Sequence, residues 1–117
     1  MKTILKKGET VLYGNCKVAN TFFSRFIGLM GKSFVADDNA IIFPRCNSIH
    51  TFFMRIPIDI IFVSESGKVV RVFSQFRPWK LLLPVKGAVH SIEVSSQGAD
   101  RNGIRIGDQL TCPGVFG

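Results

Sequence analysis

Apolar residues repeat in two different ways along this chain. Within "TFFSRFIGLMG" (21–31), Phe22, Phe23, Phe26, Ile27, Leu29 and Met30 fall on one broad arc at the helical spacing of about 100° per residue. Thr21, Ser24, Arg25 and Gly28 fall on the other side. Asn20 or Thr21 supplies an N-cap, and Gly31 a left-handed C′ position. This pattern predicts one main helix. Before it, "TILKKGETVLYGNCKVAN" reads as two or three short strands with turns at Lys7-Gly8 and Gly14-Asn15.

From Ala40 onward the pattern is that of strands. "AIIFP" and "HTFFM" are short ones, and "IDIIFV" after Pro57 meets "KVVRVFSQF" across a hairpin turn at Ser66-Gly67. "RPWKLLLPVKG" reads as a loop between Pro78 and Pro84, and "AVHSIEVSS" as a strand of ambiguous register, since Val89 and Val94 differ in parity. One helical turn in "SQGADRNG" then leads to a closing strand, "IRIGDQLTC", whose Asp108 holds the turn before it. The fold class expected is α+β in one domain over 1–117. A mostly antiparallel sheet curls into a small barrel or sandwich, with one main helix (about 21–31) packed on it.

Composition narrows the class of molecule. Hydrophobic residues make up 46% of 117, which describes a folded chain with a real core rather than a disordered one. No apolar run reaches the ~20 residues of a membrane span, and the start "MKTILKKGET" lacks the apolar stretch of a signal peptide. The expectation is a cytoplasmic protein, although a chain trimmed of its signal would begin in the same way. Cys16, Cys46 and Cys112 are odd in number and widely spaced, which predicts reduced thiols; Cys112, in "TCPGVFG", reads as incidental. The formal net charge of +7 would attract nucleic acid only if it were clustered. The basic residues are instead scattered, with Lys6-Lys7 the single adjacent pair, and no nucleic-acid-binding signature is present. A nucleic-acid partner is therefore not expected.

The stretch "CNSIHTFFMRIPIDIIF" (46–62) holds the candidate chemistry. Cys46, His50 and Met54 are donors that together suit Cu(I), and less well Zn²⁺. On one straight strand, positions four apart lie roughly 14 Å apart, too far to share an ion. Shared coordination needs a turn at "PRCNS", which that composition permits. The competing reading is a hydrogen-bonded histidine beside a buried cysteine and a core methionine. Asp59 is apolar-flanked on both parities, so its strand is buried on both faces. Its carboxyl needs a cation, backbone donors or a proton. Arg25 and Arg55 are the nearest cations expected, and the residue is either a general base or a structural carboxylate. Gly28, in mid-helix beside Arg25, marks a close approach of backbone or ligand.

With no recognisable catalytic set, these residues favour a non-catalytic module that binds an unidentified protein or a small ligand. Arg25, Gly28, His50, Phe52, Met54, Arg55 and Asp59 would line its site. The alternative is a metal- or thiol-dependent enzyme or metal-binding protein built on Cys46 and His50, with Cu(I) or Zn as its cofactor.

In their order along the chain, "RFIGLMG", "IIFPRCNSIHTFFMRIPIDIIFVSESGKVV", "GAVHSIEV" and "GIRIGDQL" resemble the motifs of the bacterial and archaeal "domain of unknown function 192" family. Ile92-Glu93 stands where that family usually has Leu-Glu, and "SSQGADRNG" departs from its usual Ala-Gly. The resemblance implies a β-rich α+β fold. It implies no established activity and makes no residue catalytic.

Overall fold

The computed structural model describes residues 2–19, 38–50, 57–77, 81–82 and 84–117. Its strands are β1 (Lys2–Lys7), β2 (Thr10–Val18), β3 (Asn39–Phe43), β4 (Ile49–His50), β5 (Ile58–Val63), β6 (Val69–Phe76), β7 (Leu81–Leu82) and β8 (His90–Ser95). One short helix, α1, spans Gly98–Arg101. The helix expected over about 21–31 lies outside the described residues.

Six strands form one sheet in the order β1-β2-β3-β8-β5-β6, with every pairing antiparallel except β2 with β3. The expected strands at 40–44, 58–63, 68–76 and 88–96 correspond to β3, β5, β6 and β8. Gly14-Asn15 is not a turn. Between Thr3↔Cys16 and Leu5↔Tyr13, β2 carries one residue more than β1, so the glycine marks a bulge inside a longer strand. That extra residue explains why Tyr13 and Cys16, three apart, are both buried. The loop expected at 77–87 contains β7, which pairs with β4 as Ile49↔Leu82 and His50↔Leu81.

The sheet does not close into a barrel or fold into a sandwich. β1 and β6 are its two edges, and they do not pair with each other. The expected closing strand, residues 104–112, instead makes isolated bridges, Lys68↔Gln109 beside β6 and Lys6↔Thr111 on β1. The reason is local. Asp108 accepts the Arg105 N–H at 2.8 Å and donates its own N–H to the Arg105 carbonyl at 3.0 Å. This turn, with Gly107 at φ 96°, bends the chain before a ladder can form. Lys7 fastens the turn to β1 through a 2.9 Å ion pair with Asp108.

Two apolar clusters cover the two faces. Leu5, Tyr13, Cys16, Ile42, Ile61, Ile92, Leu110 and Phe116 belong to one; Ile41, Phe43, Ile58, Ile60 and Phe62 belong to the other. β5 and β8 lie inside the sheet with both faces covered, so all six residues of each are buried. Cys112, expected to be incidental, is fully buried in the first cluster.

The hairpin between β5 and β6 is set by Ser64 and Gly67. The Ser64 carbonyl accepts the Gly67 N–H at 3.0 Å, and its hydroxyl accepts the Lys68 N–H at 3.1 Å. Gly67 lies at φ 96°, and a Cβ there would sit 2.3 Å from the Leu110 carbonyl oxygen. That contact is with backbone that also bonds Gly67, since Leu110 N–H donates to the Gly67 carbonyl at 2.9 Å. Gly67→Ala is therefore expected to cost about 2–4 kcal/mol, combining left-handed strain with a displaced C-terminal segment. Urea unfolding of the variant checks this; a change below 1 kcal/mol would contradict it.

Candidate functional site

His90 opens β8, and alternation sends His90, Ile92 and Val94 to one face and Ser91, Glu93 and Ser95 to the other. His90 is 5% exposed, and its ring stacks on Phe116 with centroids 5.3 Å apart and planes at 24°. Pairing of Phe43 with Ser91 sets the turn after β3 beside this histidine. There Arg45 adopts a left-handed φ of 52° and donates its backbone N–H to His90 Nδ1 at 3.0 Å. A neutral imidazole accepts at one nitrogen and donates at the other, so this bond leaves the proton on Nε2. Burial, reinforced by the Arg45 charge, holds the His90 pKa below its usual 6.5, with Glu65 acting in the opposite sense. The ring is accordingly neutral near pH 7.

A cleft of about 280 Å³ opens at this point. Val18, Pro44 and Val115 form its apolar wall, while Arg45, Glu65 and His90 supply its polar groups beside Gly114. The volume is near the lower end for small-ligand sites, which run from roughly 300 Å³ upward. Its lining joins a neutral histidine, an arginine and one glutamate to apolar side chains. Such a set can hold an anionic group and shield an attached apolar part. Among the described residues, no group of three or more His, Cys, Asp or Glu is placed to hold a metal ion.

Of the residues expected from sequence, Asp59 is the best defined. It is fully buried, on the same face of β5 as Ile61 and Val63. Its Oδ1 accepts the N–H groups of Gln75 at 2.8 Å and Gln97 at 3.0 Å, and its Oδ2 accepts that of Ala99 at 3.0 Å. The carboxylate thus ties β5 to β6 and to the start of α1. Cys46 packs against the cluster on the opposite face, and its thiol donates to the Ser48 carbonyl at 3.0 Å. The two residues are not brought to one site. His50 is paired with Leu81 in the small sheet. Arg25, Gly28, Phe52, Met54 and Arg55 lie outside the described residues.

The other two thiols belong to the core. Burial pushes the Cys16 pKa up to about 12 and raises that of Cys112, so neither is poised as a nucleophile. On the opposite face of β8, Glu93 is 4% exposed between Ile41 and Ile60, and burial pushes its pKa up to about 8. The Ser91 hydroxyl beside it is buried without a hydrogen-bond partner among the described residues. Sequence reasoning passed over His90, Arg45 and Glu93 as site residues. The available signals were a histidine at the head of an alternating strand, an arginine in a Pro-initiated turn, and an acid within an apolar strand.

The family model described as DUF192, uncharacterized ACR, matches residues 3–112. A UPF0127 protein of Thermococcus sibiricus is 41% identical over 108 residues, covering 89% of this chain and 69% of the relative. Another, from Thermococcus kodakarensis, is 40% identical over 85 residues, and the match spans 69% of this chain but only 54% of that protein. A third, from Pyrococcus abyssi, is 34% identical over 100 residues, covering 80% of this chain and 82% of the relative. Among solved structures, a protein of unknown function from Novosphingobium aromaticivorans superposes with TM-score 0.75 at 24% identity, covering 95% of this chain and 84% of that one. A provisionally named transcription regulator from Sinorhizobium meliloti superposes with TM-score 0.84 at 17% identity, covering 98% and 96%. Likeness at these identities speaks to the fold alone. The three named relatives of known sequence are archaeal, and the model match and their identities together establish that the chain belongs to the uncharacterized DUF192 family.

Proposed function

We propose that this chain is a non-catalytic binding module whose ligand is a small organic anion, held in the cleft at Arg45 and His90. The observation that carries the reading is the division of labour at His90. One ring nitrogen is committed to the Arg45 backbone at 3.0 Å, which fixes ring orientation and tautomer and leaves the other as a donor beside a guanidinium. A site whose donors are held in place before the ligand arrives loses less freedom on binding. The apolar wall of Val18, Pro44 and Val115 favours an anion with a short aliphatic or aromatic portion over a bare inorganic one. Glu65 disfavours multiply charged ligands and leaves room for a single carboxylate or phosphate monoester.

This reading places the ligand at Arg45 and His90 rather than at the helix-to-strand junction expected from sequence, most of whose residues lie outside the described ones. It retains the class of function expected there, binding without catalysis. A thermal-shift series with benzoate, butyrate, phenyl phosphate and inorganic phosphate tests it. The expected result is stabilisation by the monoanions carrying an apolar part, lost in Arg45→Ala and weaker for inorganic phosphate. Equal shifts in wild type and Arg45→Ala would contradict it.

A further inference from the structure

Among the described residues, the outer edge of β6 is paired at its beginning and open beyond it. Val69 donates its N–H to the Asp108 carbonyl and accepts from the Gly107 N–H, both at 2.8 Å. Beyond Val69, no described strand or turn pairs with β6 on the side away from β5. The chain at 104–106 instead draws back and leaves a cleft of about 420 Å³. Val72 and Ser74 line it from β6; Ile104, Arg105 and Ile106 line it from the opposite side. Ile106 is 66% exposed, more than any other large apolar side chain among the described residues.

A strand edge beside an apolar trough is the arrangement by which extended peptides join a sheet: main-chain bonds supply affinity, and alternate side chains enter the trough. Charge identifies the occupant. Lys68, Arg71, Arg77 and Arg105 are exposed along this edge and its opposite wall, four cations against two exposed acids, Asp100 in the trough and Glu65 in the hairpin before β6. A second copy of the same edge would bring those cations together, which is how edge strands ordinarily resist self-pairing. An acidic segment would be attracted by the same charges.

We infer that the open edge of β6 is a docking site for an extended acidic peptide with alternating apolar residues, which adds to the sheet as a seventh strand. The site is separate from the cleft at Arg45 and His90, and the two are tested independently.

The probe is the capped hexapeptide Glu-Val-Glu-Val-Glu-Val, compared with its Lys-for-Glu counterpart and with a version N-methylated at alternate amides. Amide shifts of the ¹⁵N-labelled full chain are followed during titration. The expected result is movement of Arg71–Ser74 and 104–106, with His90 unmoved. Affinity should be at least tenfold weaker for the lysine peptide and for the N-methylated one. An Arg71→Glu, Arg105→Glu double variant should reverse the charge preference while keeping its amide spectrum. Shifts confined to other residues, equal binding of the lysine peptide, or binding indifferent to N-methylation would overturn the inference. So would no binding at low salt.

Discussion

Asp59→Ala is expected to destabilise the protein by roughly 3–6 kcal/mol, among the largest effects available to a single substitution here. The carboxylate is fully buried and accepts three backbone N–H groups from residues distant in sequence, Gln75, Gln97 and Ala99. Truncation removes three charge-assisted bonds and leaves those donors facing a cavity. A buried unsatisfied donor costs about 1–3 kcal/mol, and the bond from Ala99 is the fully buried one of the three. Asp59→Asn retains one carbonyl oxygen, able to keep the Gln75 and Gln97 bonds, but turns an amide N–H₂ toward the Ala99 N–H. Its expected cost is intermediate, about 2–3 kcal/mol. Urea unfolding followed by far-UV circular dichroism measures both. A loss below about 1 kcal/mol for Asp59→Ala would mean that the three bonds are not what joins β5, β6 and α1.

The second large effect concerns pH. Glu93 is folded with a pKa of about 8 against an ordinary 4.5, because its carboxyl sits in an apolar layer. The folded state therefore holds a proton that the unfolded chain gives up. The stability this contributes is complete below pH 4.5 and is lost as pH rises through about 8. His90 acts in the opposite direction. Its folded pKa is lowered, so the folded state binds fewer protons than the unfolded one, and stability falls as pH drops below 6.5. Together they place maximal stability in the mildly acidic range, with a decline toward alkaline pH of several kcal/mol at most. Glu93→Gln is expected to remove the alkaline decline, leaving the variant more stable than wild type at pH 8 and similar to it at pH 5. Denaturation midpoints measured from pH 4.5 to 9 decide this. Parallel curves for the two proteins would show that the carboxyl is not held protonated.

These two acids also show what a sequence can reveal. Asp59 was legible as a buried carboxyl because apolar residues flank it on both parities. Its partners were not, since three backbone N–H groups leave no mark in composition, and the expected cations Arg25 and Arg55 lie outside the described residues. Glu93 was missed for the opposite reason. In "AVHSIEVSS" it shares a parity with Ser91 and Ser95, which reads as a solvent face. Only the placement of β8 between β3 and β5, with both faces covered, makes that polar row an internal one.

The strands themselves were well marked by β-branched runs and by the Ser66-Gly67 turn. Closure of the sheet was not legible, because "IRIGDQLTC" alternates like a strand while its Arg105–Asp108 turn prevents a ladder. Gly14-Asn15 carries a turn composition that a bulge uses equally well. The cleft at His90 depends on a meeting of residues 18, 44–45, 65, 90 and 114–115. Such a convergence is a property of sheet order, and the parallel pairing of β2 with β3 has no local signal.

In the proposed function, His90 Nε2–H and the Arg45 guanidinium jointly receive an anion. Long-range ¹H–¹⁵N spectra of the His90 imidazole, recorded at pH 7 during titration with benzoate, test it most directly. The expected result is a single neutral Nε2–H tautomer at the outset, with saturable movement of Nε2 and of the Arg45 amide that disappears in Arg45→Ala. A ring protonated on Nδ1 before any ligand is added, or an imidazole unmoved by benzoate, would contradict it.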